Sequence, residues 1–424
     1  MAKRRRYIWG IWALAAALFV GSGFPGTEVR AEAGEEKITL HMMYYWGDTD
    51  SDISSRYLKE ILEKDFPEAF PNVELVQETC DNETYKKKLK VLMASDEAPD
   101  IMISYGGGFS ENFVKAGKVL ALDDYLDDFY KEHMNMEYQE NFIFDGKCYG
   151  ICYANWKGIL YCNTELLEKA GAEIPETYEE LLEVCRKLRA ADIEPIALGI
   201  LNKWQGQQWL NNFTIQLGGA ELYKDMAGGE ESMDQEVLQK AAELTEGLID
   251  ADAFCTDMYQ LVSGEAEEMF LNGKAAMIYI GSWFTQSAEE RLGDKVEAAK
   301  MPVVPGAEYS QDYHGGGSNG WIVSADTEYP ETAAEIVAWL SYRLSCYQPE
   351  NATFFLDEGD AVNEISPTGR RIMEMYNGSR EGGIAWDSLM TSDRADEWLN
   401  FCAGLFEKKI DGQEFAGELA RSIG

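Results

Sequence analysis

Apolar and polar positions near the start of the chain change between a strand pattern and a helix pattern. Residues 38–46 form a near-continuous apolar run, which predicts a strand that is covered on both faces. Residues 73–77 and 101–105 predict two further strands, and residues 52–65 and 84–95 between them have apolar side chains at helical spacing. This β-α-β-α-β order predicts a parallel sheet with right-handed crossovers.

The predicted sheet also indicates where a ligand would bind. In open α/β sheets, ligands lie beyond the carboxyl ends of the parallel strands. Trp46 and Tyr105 stand at two of those ends. We therefore expect both residues to face a binding site.

Residues 145–199 have the pattern of a crossing between two regions of a fold. A short buried strand is predicted at Gly158–Cys162, and a helix is predicted to begin after Asn163. Thr177 and Glu180 have the spacing of a capping box, which predicts the start of a second helix.

The later part of the chain returns to strands and glycine. Lys274–Ile280 predicts a strand, and Tyr313–Gly320 predicts a glycine-rich turn. A strand at Trp321–Ser324 and a helix at Pro330–Leu344 follow that turn.

The first residues have the composition of a secretory signal peptide. Residues 3–6 are all basic, Tyr7–Phe24 is an apolar run, and residues 31–33 form a small-residue cleavage site. We predict a signal peptide over residues 1–33. An uncleaved anchor is the alternative, because the apolar run is nearly long enough to span a bilayer.

The net charge restricts the partners of the chain. The formal charge is −38, and loss of residues 1–33, which carry a net charge of +3, leaves −41. Such a field repels nucleic acid and anionic lipid, so neutral or cationic partners are expected. The same charge also keeps an exported protein soluble.

Two overlapping motifs resemble parts of an esterase. His314–Gly317 is similar to an oxyanion loop, and Gly316–Gly320 fits a nucleophile elbow around Ser318. No histidine follows Ser318, so a triad in the required order is excluded. A glycine-rich turn, or backbone that approaches a ligand closely, explains the motif instead.

Metal sites are not predicted. Residues 48–52 are similar to the start of a calcium loop, but Ile53 and Lys59 stand where glycine and glutamate are needed. Cys148, Cys152 and Cys162 lack the spacing of a zinc site. A pair of carboxylates for glycoside hydrolysis stays an alternative, because 75 acidic residues offer many pairs and no local pattern selects one.

All eight cysteines follow the predicted signal peptide, and an even number in an exported chain permits disulfides. Their spacing is not that of a small disulfide scaffold, and a chain of 424 residues does not need one. Cys162 and Cys185 fall on apolar faces and are predicted to be core residues.

Tryptophan is the positive signal for binding. Nine tryptophans follow the predicted signal peptide, and two of them, Trp339 and Trp398, are predicted core residues. Five others stand in loops or at strand ends, close to amide and carboxylate side chains. These five are Trp46, Trp156, Trp204, Trp283 and Trp386. Flat rings suit the C–H face of a pyranose, and amides or carboxylates suit its hydroxyl rim.

A set of short motifs in a fixed order covers most of the chain. They are Ala98–Ile101, Asp145–Lys147, Tyr149–Gly150, Leu160–Asn163, Phe270–Met277, Gly281–Trp283, Tyr329–Glu331 and Ala333–Ala334. With its motifs in this order, the chain resembles the family 1 extracellular solute-binding proteins of ABC importers, and their sugar-binding group in particular. That family usually has proline where Cys152 stands and a second aromatic where Cys162 stands. Its lipid-attachment cysteine is missing after the apolar run.

The resemblance implies an α/β, two-lobed periplasmic-binding-protein-like fold of type II, with parallel-rich sheets flanked by helices around a hinged cleft. It implies lobe 1 at residues 34–150 and 301–358, and lobe 2 at residues 151–300 and 359–424. Lobe-joining segments are expected near Tyr149–Asn155, Ala299–Val303 and Phe355–Ile365.

The resemblance also places ligand contacts and implies binding without catalysis, cofactor or metal. The predicted contacts are Trp46, Asp48, Tyr105, Asn155, Trp156, Trp204, Gln207, Gln208, Trp283, Asn319 and Trp386. The expected ligand is a neutral sugar, an oligosaccharide given the number of aromatics, and the expected partner is an ABC permease. A monomer that binds no nucleic acid is expected. A polyamine or other small cation is an alternative ligand, and an exported carbohydrate-active enzyme is an alternative function.

Overall fold

The computed structural model describes residues 37–46, 52–229 and 233–422. The predicted signal peptide lies outside these residues. The strands are β1 (Ile38–Tyr44), β2 (Val73–Thr79), β3 (Ile101–Tyr105), β4 (Ile143–Phe144), β5 (Lys147–Cys148), β6 (Ile151–Asn163), β7 (Glu194–Ala197), β8 (Ala275–Gly281), β9 (Val296–Ala299), β10 (Tyr313–Val323) and β11 (Gly382–Gly383).

Helices cover both faces of the sheet strands. The first nine helices are α1 (Ile53–Glu60), α2 (Phe66–Ala69), α3 (Asn82–Ser95), α4 (Gly108–Lys115), α5 (Asp128–His133), α6 (Thr164–Lys169), α7 (Tyr178–Ala190), α8 (Trp204–Gly218) and α9 (Ala220–Gly228). The others are α10 (Gln235–Asp250), α11 (Ser263–Leu271), α12 (Thr285–Leu292), α13 (Pro330–Tyr347), α14 (Pro367–Tyr376), α15 (Trp386–Leu389), α16 (Ser392–Phe406) and α17 (Gly412–Ser422). Short 3-10 or π turns lie at residues 61–65, 136–142, 282–284, 293–295 and 349–351.

The predicted β-α-β-α-β unit is confirmed. β1 pairs in parallel with β2 along its whole length and with β3 on its other side. The helix α3 begins where the Asp81 side chain accepts a hydrogen bond from the Thr84 amide, and it buries Tyr85 and Leu89 against the sheet. The carboxyl ends of β1 and β3 therefore open on the same edge, where Trp46 and Tyr105 were expected.

The strand β10 differs from the prediction. Its residues from Tyr313 to Gly320, predicted as a turn, are extended, so the strand runs from Tyr313 to Val323. Tyr313 and His314 pair with β11, and the residues from Gly315 onward pair with β6 and then also with β3. A Cβ atom at Gly317 would lie 2.1 Å from the Tyr138 carbonyl oxygen, and one at Gly315 would lie 2.3 Å from the Trp156 carbonyl oxygen. Glycine is needed here because neighbouring backbone lies so close and because φ is positive at Gly315 and Gly316, although the chain does not turn.

The strand β6 continues the sheet beyond β10. It has 13 residues, so the predicted Gly158–Cys162 is only its second half. β6 pairs with β10 over its first half and with β8 and β9 over its second half. The strand order is therefore β2-β1-β3-β10-β6-β8-β7, with β9 also paired to β6.

Separate hydrophobic cores pack on different parts of this sheet. One core lies around β1, β3 and α13 and contains Leu40, Ile103 and Val337. A second core lies around α7 and α8 and contains Val184 and Trp209. The predicted capping box of α7 is confirmed, and Asn163 caps α6 as expected. The predicted lobe boundaries and joining segments stay predictions.

The cysteines are all thiols in this structure, and only Cys80 is not fully buried. Burial raises the pKa of the Cys152 thiol to about 12, so the group stays protonated. The prediction of core positions for Cys162 and Cys185 is confirmed. Within the described ranges, no helix is both long enough and apolar enough to cross a membrane.

Candidate ligand-binding cleft

A cleft of about 790 Å³ opens at the carboxyl ends of β1 and β3. Aromatic side chains line it in two clusters of neighbouring rings. We name the rings of Tyr45, Trp46, Tyr105 and Tyr153 the first wall, and those of Trp156, Trp204 and Trp283 the second wall. This position is the one that the topology of an open α/β sheet favours for a ligand.

The first wall is a continuous group of rings. The Tyr45 ring stacks on Tyr105 with centroids 5.7 Å apart, and the Trp46 ring lies 5.4 Å from Tyr45 and 5.1 Å from Tyr153. The Trp46 indole donates a 2.8 Å hydrogen bond to Asp52. Burial raises the pKa of Tyr45 and of Tyr153, so both hydroxyls keep their protons.

The second wall is a cluster of three tryptophans. The Trp283 ring lies at its centre, 5.2 Å from Trp156 and 6.5 Å from Trp204 between centroids. A Cβ atom on Gly281 would come within 1.9 Å of the Trp283 ring, so the glycine leaves room for the indole to lie against the backbone. Trp283 and Trp204 are half-buried and keep part of their rings exposed, whereas Trp156 is buried and meets the cleft at its margin.

Amide side chains also line the cleft. Gln207 and Gln208 reach the cleft from the first turn of α8, and Gln207 accepts a 2.6 Å hydrogen bond from the Trp398 indole. Several buried polar atoms on the lining residues have no hydrogen-bond partner among the described residues. They are Oε1 of Gln208, Oδ1 of Asn202 and Nε2 of Gln348. Buried atoms of this kind gain free energy when a ligand hydroxyl completes their hydrogen bonding.

The cleft is acidic. Its lining includes five carboxylates against one cationic side chain, Lys86. The carboxylates belong to Asp52, Asp81, Glu83, Glu267 and Asp387. Lys86 lies 3.2 Å from Asp387 and 3.5 Å from Glu83, and its ammonium is 5.0 Å from the centre of the Tyr105 ring. Burial lowers the pKa of Lys86, but the two carboxylates outweigh burial and raise it above its ordinary value. The charge of Lys86 is therefore already matched within the protein.

The structure brings most of the predicted contact residues to the cleft. Eight of the eleven line it: Trp46, Tyr105, Trp156, Trp204, Gln207, Gln208, Trp283 and Asn319. Asp48 lies outside the described residues. The remaining two, Asn155 and Trp386, are placed elsewhere.

Asn155 and Trp386 require correction for different reasons. Ala154 and Trp156 on β6 line the cleft, so Asn155 between them points to the opposite face of the strand, where it is buried. The Trp386 ring is fully buried, stacks on Tyr223 at 4.9 Å and is absent from the cleft lining. Its neighbour Asp387 reaches the cleft instead.

Several lining residues were missed. Tyr45 directly precedes Trp46 at the end of a predicted strand, so the same rule of strand ends could have found it. Lys86 lies on a helix face that is rich in lysine, and its pairing with Asp387 depends on contacts across 301 residues of sequence. Tyr153 lines the cleft because of an irregularity in β6, and no local pattern of residues indicates it.

The esterase motif has a structural role. The Ser318 hydroxyl accepts a hydrogen bond from the Trp156 indole and donates one to Asn319, at 2.8 and 2.7 Å. His314 packs against the Trp156 ring at 4.9 Å and bonds the Tyr279 hydroxyl at 3.4 Å. Ser318 therefore acts as a bridge between two side chains, and His314 supports an indole ring from behind.

His314 is fully buried beneath Trp156, and burial lowers the pKa of its imidazole to about 3. In the unfolded chain the imidazole titrates near its ordinary value of about 6.5. Between these two values the unfolded state binds more protons than the folded state. The stability that neutral His314 allows is therefore present above about pH 6.5 and is lost as the pH falls toward 3.

The His314→Gln variant is expected to lose less stability in acid than the wild type. Between pH 7 and pH 5, protonation of this histidine in the unfolded state costs the wild type about 2 kcal/mol that the variant does not lose. Urea unfolding at both pH values measures the difference. His41→Gln, at an exposed position on β1, is the matched control and should follow the wild type. Equal acid losses in His314→Gln and wild type would contradict the role of His314.

Comparisons with known proteins agree with this architecture. Residues 50–341 match the model of the bacterial extracellular solute-binding proteins. The chain is 23% identical to the multiple sugar-binding protein of Streptococcus mutans over 319 residues, which are 73% of each chain. It is 22% identical to an ABC transporter extracellular-binding protein of Pyrococcus horikoshii over 290 residues, 66% of this chain and 65% of that protein.

A solved structure has a similar fold. It is described with xylan utilization by the thermophilic bacterium Caldanaerobius polysaccharolyticus, has 29% sequence identity and a TM-score of 0.84, and covers 91% of this chain and 100% of its own. The predicted two-lobed fold of the type II periplasmic binding proteins is thereby confirmed. Since the family model spans well over half of the residues, this chain belongs to the bacterial extracellular solute-binding proteins that serve ABC importers.

Proposed function

We propose that this protein binds a neutral oligosaccharide in the cleft outside the cell and delivers it to an ABC permease, without chemistry. The observation that carries the proposal is a cleft lined by two clusters of aromatic rings together with amide and carboxylate groups. Rings of this kind remove the C–H face of a pyranose from water, and the polar groups of the lining bind its hydroxyls.

The size of the cleft favours more than one sugar unit. Its volume of about 790 Å³ lies in the upper part of the range for small-molecule sites. The two half-buried tryptophans of the second wall, Trp204 and Trp283, offer stacking positions for successive rings. The similarity to a multiple sugar-binding protein and to a protein studied with xylan utilization supports an oligosaccharide, and makes xylo-oligosaccharides a first choice for tests.

A small cation such as a polyamine is the second candidate ligand. Five carboxylates line the cleft beside tyrosine and tryptophan rings, and this is the composition of a cation cage. Two observations weigh against it. Lys86 already pairs with two of those carboxylates, and Asp52 accepts hydrogen bonds from Trp46 and from the Ser54 amide.

A thermal-shift panel separates the two ligand classes. We expect a neutral oligosaccharide at 100 times its Kd to stabilise the protein by about 2.7 kcal/mol, because it binds only the folded state. The panel contains xylotetraose, maltotetraose, chitotetraose and raffinose, with spermidine and arginine as cations. Stabilisation by spermidine, with no stabilisation by any of the sugars, would overturn the proposal.

Incubation of the same protein with the same sugars tests for catalysis. The protein is purified without residues 1–33, which we propose are removed on export, and is incubated with each stabilising oligosaccharide. Chromatography should recover the sugar intact and size exclusion should give a monomer. Steady release of shorter sugars would favour the exported carbohydrate-active enzyme over a binding protein.

A further inference from the structure

The ladder between β6 and β10 has two irregularities at the cleft. Gly317 pairs with Asn155 and Asn319 pairs with Ala154, so Ser318 is an extra residue on β10. Gly320 then pairs with Cys152, so Tyr153 is an extra residue on β6. Such bulges redirect a side chain relative to the regular alternation of a strand. Both redirected side chains, Ser318 and Tyr153, line the cleft.

Ser318 and Tyr153 belong to one chain of hydrogen bonds that joins the two walls. The Trp156 indole donates to the Ser318 hydroxyl at 2.8 Å, and that hydroxyl donates to the Asn319 side-chain oxygen at 2.7 Å. The Asn319 amide nitrogen donates to the Tyr45 hydroxyl at 2.5 Å, and the Tyr45 and Tyr153 hydroxyls lie 2.7 Å apart. The chain thus runs from the second wall to the first.

The direction of this chain follows from its first member. An indole N–H can only donate, so the Ser318 oxygen accepts from Trp156 and its own hydrogen is directed to Asn319. This orients the Asn319 amide, whose nitrogen then faces Tyr45. Because the Tyr45 oxygen accepts from Asn319, its hydrogen is free to go to the Tyr153 oxygen.

The last hydrogen of the chain belongs to Tyr153. The hydroxyl of Tyr153 has Tyr45 and Asn319 as hydrogen-bond neighbours, and both can donate to it. When Tyr45 is the donor of the pair, the hydrogen of Tyr153 has no acceptor among the side chains that the structure describes, and Tyr153 lines the cleft. Asp52, the nearby carboxylate, already accepts from Trp46 and from the Ser54 amide.

We propose that Tyr153 determines ligand specificity by donating this hydrogen to an oxygen of the bound ligand, and that Ser318 and Asn319 are the positioning residues that hold it in the donor state. The inference rests on the proposed function and names the chemical group of the ligand, an oxygen acceptor, that this part of the cleft recognises. A hydroxyl or ether oxygen of a sugar accepts such a hydrogen, whereas an ammonium group has only donors. The chain of hydrogen bonds therefore favours sugars over amines at this point of the cleft.

The Tyr153→Phe variant tests the donor. Isothermal titration calorimetry with each panel oligosaccharide that stabilises the wild type should give binding roughly three- to tenfold weaker, as expected for loss of one neutral hydrogen bond. Tyr161→Phe is the matched control, because Tyr161 lies on the same strand, is fully buried, and its hydroxyl bonds Thr285 in the core. The control should bind as tightly as the wild type.

Ser318 variants test the positioning role. Ser318→Ala should shift the indole N–H signal of Trp156 in the ligand-free protein and weaken binding, and Ser318→Thr should restore both. The loss of affinity in the double variant Ser318→Ala/Tyr153→Phe should be smaller than the two single losses multiplied together, because both changes act on one donor. Full additivity would overturn the coupling between Ser318 and Tyr153.

The outcomes separate this inference from the proposed function. If no oligosaccharide stabilises or binds the wild type, the proposed function fails and the role of Tyr153 fails with it. If the wild type binds an oligosaccharide and Tyr153→Phe binds it equally well, only the donor role of Tyr153 is overturned.

Discussion

Replacing Trp283 by alanine is expected to weaken oligosaccharide binding roughly 50- to 100-fold while the protein stays folded. Trp283 is half-buried and stands at the centre of the second wall, so part of its ring is free to stack. A sugar stacked on the exposed part of one indole removes roughly 100 Å² of apolar surface from water, counting the ring and the C–H face of the sugar together. At about 25 cal/mol per Å² this contributes about 2.5 kcal/mol to binding, which calorimetric titration would measure as the lost affinity.

Two further variants separate stacking from damage to the fold. Trp283→Phe keeps a smaller ring and should lose less affinity than the alanine variant. Trp339→Ala removes a half-buried tryptophan that packs on Phe66 and Phe70 and does not line the cleft, so its affinity should equal that of the wild type. An unchanged affinity in Trp283→Ala would remove this stack from the proposed binding mode.

The parallel unit at the start of the chain could be predicted because each of its elements has a regular pattern of its own. The apolar run of β1 needs cover, and residues 82–95 form the helix that supplies part of it, although Thr39 and His41 of β1 stay exposed and the predicted cover on both faces is incomplete. The rule that ligands bind at the carboxyl ends of strands then placed Trp46 and Tyr105 at a cleft without any contact information.

The strand β10 could not be predicted, because its glycines have two physical uses that look alike in sequence. Gly315 and Gly316 have positive φ values of +150° and +132° although they lie in a strand, and Gly317 lies against the carbonyl of Tyr138. A run of glycine is typical of turns, where positive φ is needed. Here positive φ and close approach of backbone both require glycine within a strand, and only the neighbouring strands reveal it.

Contacts from the C-terminal part of the chain were also beyond prediction. Trp386 and Asp387 are adjacent, yet one lies in a core and the other reaches the cleft. Residues distant in sequence decide the position of each side chain, since Trp386 packs on Tyr223 while Asp387 pairs with Lys86. A tryptophan beside a polar residue therefore indicates a boundary between core and site without saying which of the two residues the ligand meets.

The second large effect is expected for Trp386→Ala, which should lower the free energy of unfolding by about 3–5 kcal/mol with little change in ligand affinity. The Trp386 ring is fully buried between Tyr223, at 4.9 Å, and Trp398, at 4.6 Å, and its indole donates to the Tyr223 carbonyl. Alanine leaves a cavity that rigid aromatic neighbours cannot fill, and it leaves that carbonyl without its donor. Urea unfolding measures the loss.

The comparison of Trp386→Ala with Trp283→Ala distinguishes core from cleft in one experiment. At a temperature where Trp386→Ala is still folded, it should bind each stabilising oligosaccharide within about threefold of the wild type. The Trp386 ring does not line the cleft, although Ala385, Asp387 and Ser388 beside it do. Trp283→Ala should show the reverse, with a large loss of affinity and a small loss of stability. A collapse of affinity in folded Trp386→Ala, with unfolding unchanged, would return Trp386 to the set of ligand contacts and would contradict its assignment to the core.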